Sequence, residues 1–202
     1  MRKLLVEGTD DQHVLWALLK RRAIPETFAI EQTGGYSNLL QRLPVEFKAS
    51  GLKRIGVVID ADLDYLARWN SLRAALKKSG LTIIPAQPVA GGFVSNVKGI
   101  RVGAWLMPDN SFPGMLEDFV SQLIPEGDEI WPDSSQFVES LALTANRYRD
   151  CHVAKAQVHT WLAVQDTPGS PMGQAITKRL LRDGGATCDA FISWLERLFV
   201  LD

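Results

Sequence analysis

The chain has 202 residues, 46% hydrophobic and 22% charged, with a formal net charge of −1. These proportions predict one globular domain, or one with a small appendage, whose core needs no disulfide staples. The near-neutral charge argues against a constitutively basic nucleic-acid binder, while allowing an enzyme that meets phosphates through metal ions and a local basic patch. Two cysteines, Cys151 and Cys188, make neither a disulfide framework nor a four-cysteine zinc site. Met1 runs into a strand-like segment without a signal-peptide layout, and no apolar run approaches the roughly 18 residues of a membrane span. The expectation is a cytoplasmic protein with no membrane contact.

In chain order, Lys3–Glu7 (KLLVE) predicts a short buried strand. Thr9 to Gln12 matches a capping box, with Asp10 and Asp11 in the first turn of a helix whose apolar face is Val14, Leu15, Leu18 and Leu19. Phe28–Gln32 predicts a second strand and Gly34-Gly35 a turn. Leu39, Leu40, Leu43 and Phe47 mark a second helix, closed by Gly51. Arg54–Asp60 (RIGVVID) is the clearest strand, since its continuous β-branched run suits burial on both faces of a parallel sheet. Leu66, Trp69, Leu72 and Leu76 carry a third helix ending near Gly80, and Leu81–Ile84 predicts a fourth strand. Strands alternating with helices at this spacing imply right-handed crossovers and a mostly parallel α/β sheet flanked by helices.

Residues 85–110 read as irregular apart from a strand over Ile100–Met107, and a helix is expected over Gly114–Leu123. Helical stretches follow at 134–147, 152–164 and 173–199, the last broken at Gly184-Gly185. The expected organisation is an α/β metal-binding core over 1–125 and a helical C-terminal extension over 126–202 packed on the same domain. Residues 166–171 form a Pro/Gly-rich loop. The basic pairs and triplets, such as Lys20-Arg21-Arg22 and Lys178-Arg179, read as solvated charges at helix ends.

In a parallel α/β sheet, ligands bind beyond the C-terminal ends of the strands. Glu7 ends the first strand, Asp60 ends the third, and Asp62 follows two residues later. On neighbouring strands these three carboxylates converge, and their mutual repulsion calls for a divalent cation. Hard oxygen ligands suit magnesium, and no His or Cys is placed to suggest zinc. Asp64 reads mainly as the N-cap of the third helix.

The segments VEGTDD (6–11) and VVIDAD (57–62) resemble the two signature motifs of the Toprim domain, a Rossmann-like fold, and the likeness covers roughly residues 1–120. The nearest subtype is the nuclease branch, that of the overcoming-lysogenization-defect (OLD) proteins and of small stand-alone Toprim-like proteins of unknown function. That resemblance implies a first motif of Glu7 and Asp11 and a downstream acidic pair, Asp109 and Glu117, with Asp118 competing for the latter role. It also implies a later lysine, Lys155. By this resemblance Glu7, Asp60 and Asp62 hold one metal, and Asp11, Asp109 and Glu117 help hold a second. Two Mg2+ (or Mn2+) ions would activate water on a phosphodiester, while Lys155 neutralises developing charge. The implied function is a magnesium-dependent nuclease acting on DNA or RNA.

Two other function classes remain open at this stage. One is a non-catalytic Toprim-like subunit that binds nucleic acid or nucleotide, or serves a partner ATPase. The other is an Asp-x-Asp phosphatase, disfavoured because such enzymes place that motif near the first strand. The chain contains no Walker loop, no zinc-ribbon cysteine set and no tyrosine in a topoisomerase-like context. Cys151 with His152 or His159, and His13, read as structural. The six tryptophans read as core or groove residues, one of which could stack on a base.

Overall fold

A computed structural model of the chain describes residues 1–144 and 147–201. A mixed sheet of five strands lies at the centre: β1 (Arg2–Val6), β2 (Ala29–Gln32), β3 (Arg54–Asp60), β4 (Phe93–Val97) and β5 (Ile100–Met107). Their spatial order is β2-β1-β3-β5-β4; all neighbours are parallel except β4, which runs antiparallel to β5 on the edge. The early helices are α1 (Thr9–Arg21), α2 (Tyr36–Glu46) and α3 (Tyr65–Lys78). They are followed by α4 (Leu116–Ser121), α5 (Ile130–Thr144), α6 (Val153–Ala163), α7 (Met172–Thr177) and α8 (Ala186–Phe199). Among the described residues no helix is long and apolar enough to cross a membrane.

The period of two along each strand divides the core into two layers. Leu4, Val6, Val58, Trp105 and Met107 face a layer built from α1, α4, α6, α7 and α8. Leu5, Ile55, Val57, Ile59, Ala104 and Leu106 face α2 and α3. Gly56 and Gly103 are register partners on β3 and β5. A Cβ on Gly56 would stand 2.8 Å from Leu198, and one on Gly103 2.6 Å from it. The paired glycines thus form the slot that lets α8 lie close on the middle of the sheet. Arg2, Arg54 and Arg101, register neighbours on three strands, donate to the main-chain oxygens of Phe199, Leu198 and Leu201, satisfying the carbonyl end of α8.

Four expectations are corrected. Leu81–Ile84 is not a strand: Leu81 tucks under the end of α3 with its N–H on the Leu76 carbonyl, while Ile83 is 83% exposed. The strand beside β3 is β5, and β5 is flanked by the unforeseen β4. Those two form a hairpin whose loop, Lys98-Gly99, has both residues at positive φ, the geometry of a tight two-residue turn. The cap of α1 is Gly8 rather than Thr9, and the reciprocal carboxylate is Asp11. The break in the last helical stretch is wider than Gly184-Gly185, running from Lys178 to Gly185. Residues 145 and 146, near the end of the expected 134–147 stretch, lie outside the described residues.

Candidate functional site

The register of β1 on β3 brings the C-terminal ends of both strands to one edge. Glu7 leaves β1 there, and its Oε1 accepts a hydrogen bond from the Asp60 N–H at 2.9 Å. Asp60 closes β3, and its Oδ1 accepts from the Leu116 N–H at 2.9 Å, at the start of α4. Asp11 lies in the first turn of α1, and its Oδ2 accepts from the Gly8 N–H at 3.0 Å. Its other oxygen, Oδ1, is buried without a hydrogen-bond partner. Glu117, in the first turn of α4, is 3% exposed, and its Oε1 meets Lys155 Nζ of α6 at 2.7 Å. Main-chain donors thus set three of these four carboxylates, and an ammonium sets the fourth.

All five side chains line one cavity of about 500 Å³. Its rim adds Thr9, Asp10, Gln32 and His152. It also includes the Gly34-Gly35 turn, where Gly35 donates its N–H to the Glu7 carbonyl at 2.8 Å. Gly35 holds φ 109° with open space at its Cβ position, so backbone conformation is what calls for glycine there.

Electrostatics follow from that crowding. Burial first, then the charges of Glu7 and Glu117, raise the Asp11 carboxyl to about 7. Burial, with Asp11, Glu7 and Glu117 around it, pushes Asp60 well above the ordinary carboxylate range. Burial also raises Glu7, opposed by its hydrogen bond from Asp60. Lys155 loses solvation, yet its hydrogen bond and charge contact with Glu117 hold its pKa above the usual value, so it stays cationic.

The cavity lining brings together Glu7, Asp11, Asp60, Glu117 and Lys155, and leaves out Asp62 and Asp109. Asp62 takes φ 51°, its backbone paired in both directions with Gly114, and its carboxylate forms an ion pair with Arg68. The Arg68 guanidinium in turn lies 3.8 Å from the Tyr36 ring centroid. Asp109 closes its own turn, accepting from the Ser111 and Phe112 N–H groups at 2.8 and 3.1 Å. Asp118 caps α4 through the Met115 N–H at 2.7 Å, which leaves Glu117 as the carboxylate of that pair on the cavity. Asp64 caps α3 through Ala67 at 2.9 Å. Among the described residues no hydrogen bond joins Cys151 to His152 or His159. Nothing in the sequence placed Gln32 or the predicted Gly34-Gly35 turn in the site, although Gln32 ends β2 and the turn follows it on the same edge of the sheet.

Among the described residues no three His, Cys, Asp or Glu side chains are drawn together as a ready-made ligand group. The carboxylates instead surround the cavity, with Lys155 on Glu117 as counter-charge. The donor set nevertheless suits a hard divalent cation: carboxylate oxygens dominate, and Asp11 Oδ1 is a buried acceptor with nothing to accept from.

Fold and site together define an α/β protein with an acidic cavity at the carboxyl edge of a mostly parallel sheet. The chain belongs to the DUF3226 family, described as a protein of unknown function, whose profile matches residues 1–200. No curated protein matches it. Among solved structures it is similar to the C-terminal region of the Xanthomonas campestris pv. campestris OLD protein. That similarity has 12% identity, 97% of this chain and 93% of that chain covered, and a TM-score of 0.48.

Proposed function

We propose that this protein is a magnesium-dependent phosphodiester-cleaving enzyme, a nuclease of the Toprim type, with manganese able to replace magnesium. One observation carries the reading: carboxylates from β1, α1, β3 and α4 meet one lysine in a single cavity beyond the ends of parallel strands. The chain leaves β1 toward β2 on one side and reaches β3 on the other, so β1 and β3 flank the point where the winding reverses. That is where open α/β sheets bind ligands. Glu after the first strand and Asp-x-Asp after the third, on neighbouring strands, support the Toprim assignment.

Glu7, Asp11, Asp60 and Glu117 would hold the cation. When bound, it supplies Lewis acidity, lowering the pKa of water and polarising the phosphodiester. The protein's own groups do the rest. Main-chain N–H groups fix one oxygen each of Glu7, Asp11 and Asp60, leaving their other oxygens for the ligand. Lys155 Nζ, half-exposed on the cavity wall, stands ready to pair with charge that grows on a phosphate oxygen. Asp62 fixes the loop after β3 through Arg68, and Asp109 shapes the loop after β5.

The test is a cleavage assay on single- and double-stranded DNA and RNA in Mg2+ and in Mn2+, comparing wild type with Glu7→Gln, Asp60→Asn and Lys155→Met. Wild type should cleave, and each variant should lose roughly a hundredfold or more in rate, the scale of a removed transition-state contact. Equal cleavage by wild type and both carboxylate variants contradicts the assignment. A wild type inert alone in both metals, yet firmly bound to an ATPase, would instead mark a partner subunit.

A further inference from the structure

We propose that the groove between α1 and α7 carries single-stranded nucleic acid to the acidic cavity, with Trp16 as its stacking platform. This rests on the phosphodiester-cleaving reading and names the substrate class for it.

The groove and the cavity are separate hollows that share one helix, α1. Thr9, Asp10 and Asp11, at its start, line the cavity. His13, Trp16 and Lys20 then follow on one exposed face, at the three- and four-residue spacing that aligns side chains along a helix. At 1.5 Å per residue that face runs about 10 Å from His13 to Lys20. The groove beside it has a volume of about 380 Å³. Ala17 and Gly173 lie in its floor, and a Cβ on Gly173 would stand 2.5 Å from the His13 carbonyl oxygen. The floor is therefore closely packed backbone, a rigid bed.

Trp16 is the anomaly on that bed. It is 46% exposed, whereas Trp69, Trp105, Trp161 and Trp194 are 1% exposed or less. Its ring lies 5.6 Å from the His13 ring at an interplanar angle of 34°, so two aromatic rings stand together on the groove lining. An exposed indole beside a cation is the pairing that takes an unpaired base and its phosphate.

Charge points the same way. The groove lining contains no carboxylate and includes Lys20. Lys178 is exposed at the end of α7. Among the described residues neither lysine forms an ion pair, whereas the adjacent Arg21 and Arg22 pair with Asp183 and Asp189. A phosphate backbone is thus attracted to the groove and repelled by the cavity unless a cation is present there. A duplex hides its base faces, so stacking on Trp16 selects single strands. DNA and RNA share this chemistry.

The test is fluorescence anisotropy with labelled oligothymidylate, oligouridylate and a duplex of equal length. EDTA is present, so binding is read without cleavage. Wild type should bind both single strands more tightly than the duplex. Trp16→Ala should weaken binding roughly tenfold or more, the scale of one lost base stack, and Trp16→Phe should restore most of it. Lys20→Ala should lower the slope of log affinity against log salt by roughly 0.7, one single-strand phosphate contact. Circular dichroism checks that each variant is folded. Three results overturn the proposal: unchanged affinity in Trp16→Ala, equal affinity for duplex and single strand, or no oligonucleotide binding by folded wild type. The last is what a groove built for a protein segment would give. Glu7→Gln separates the two readings. If it cleaves like wild type while Trp16→Ala fails to bind, the catalytic assignment falls and the track stands.

Discussion

Glu7 Oε1 accepts the Asp60 main-chain N–H at 2.9 Å, so the two central acidic residues of the site also tie the end of β1 to the end of β3. Glutamine can keep that bond through its own Oε1, whereas alanine cannot. Glu7→Gln should therefore retain wild-type stability and lose metal binding. Glu7→Ala should lose metal binding and about 1–2 kcal/mol of stability, the cost of a buried donor left unpaired. Urea unfolding midpoints of the two variants separate the roles. Equal stability of Glu7→Ala and Glu7→Gln would show that the bond matters only for the ligand.

Asp11 and Asp60 give the protein a pH dependence of unusual sign for carboxylates. Folding raises Asp11 from 3.8 to about 7 and Asp60 well above its ordinary value, mainly by burial. Through that window the folded state holds protons that the unfolded chain has released. Their contribution is full below 3.8 and is lost as pH rises toward 7. In EDTA, thermal stability should fall as pH climbs across this range, and saturating Mg2+ should flatten the fall by supplying the missing positive charge. Calorimetry at a series of pH values reads both slopes. A stability that rises with pH in EDTA would mean that these carboxylates are not the crowded pair described.

Asp60 and Asp62 belong to one Asp-x-Asp motif yet face different partners. Asp60 lines the cavity, while Asp62 is held by Arg68. Isothermal titration with Mn2+ should show Asp60→Asn losing most of the affinity and Asp62→Asn losing far less. The reverse order would place Asp62 in the metal site and Asp60 in a supporting role.

The sheet's paired glycines predict a packing defect. Gly103→Ala puts a methyl group 2.6 Å from Leu198, and both are confined between β5 and α8. Overpacking of this kind costs about 1–3 kcal/mol. Leu198→Ala, which empties the same slot, should cost about 2–5 kcal/mol. In the double variant the two losses should partly cancel, since the new methyl fills space that the leucine vacates. Strictly additive losses would show that the two sites do not share the slot.

These particulars also show what a sequence can carry. β3 and β5 were legible to the residue, because continuous β-branched or apolar runs bounded by turn residues have few other folds. Leu81–Ile84 looked similar, but only Leu81 is buried, and Pro85 and Pro88 follow it closely. The hairpin it concealed had a signal, Lys98-Gly99 between two short apolar runs, which resembles an ordinary loop when read alone. Within the site, Glu7 and Asp60 were legible as strand-ending acids. The orientation of Asp62 was not, because it depends on a left-handed backbone and on Arg68 in the next helix. Which of Glu117 and Asp118 lines the cavity was likewise not legible, because it depends on the first turn of α4 spending Asp118 on its own cap.

The central claim, a divalent cation held by Glu7, Asp11, Asp60 and Glu117, is tested most directly by anomalous diffraction from a crystal soaked in Mn2+. The account predicts a strong manganese peak inside the cavity, within coordination distance of Asp60 and of at least one of Glu7, Asp11 and Glu117, with Lys155 displaced from Glu117 if that carboxylate turns to the ion. An empty cavity in a crystal whose manganese peaks all lie elsewhere would contradict it.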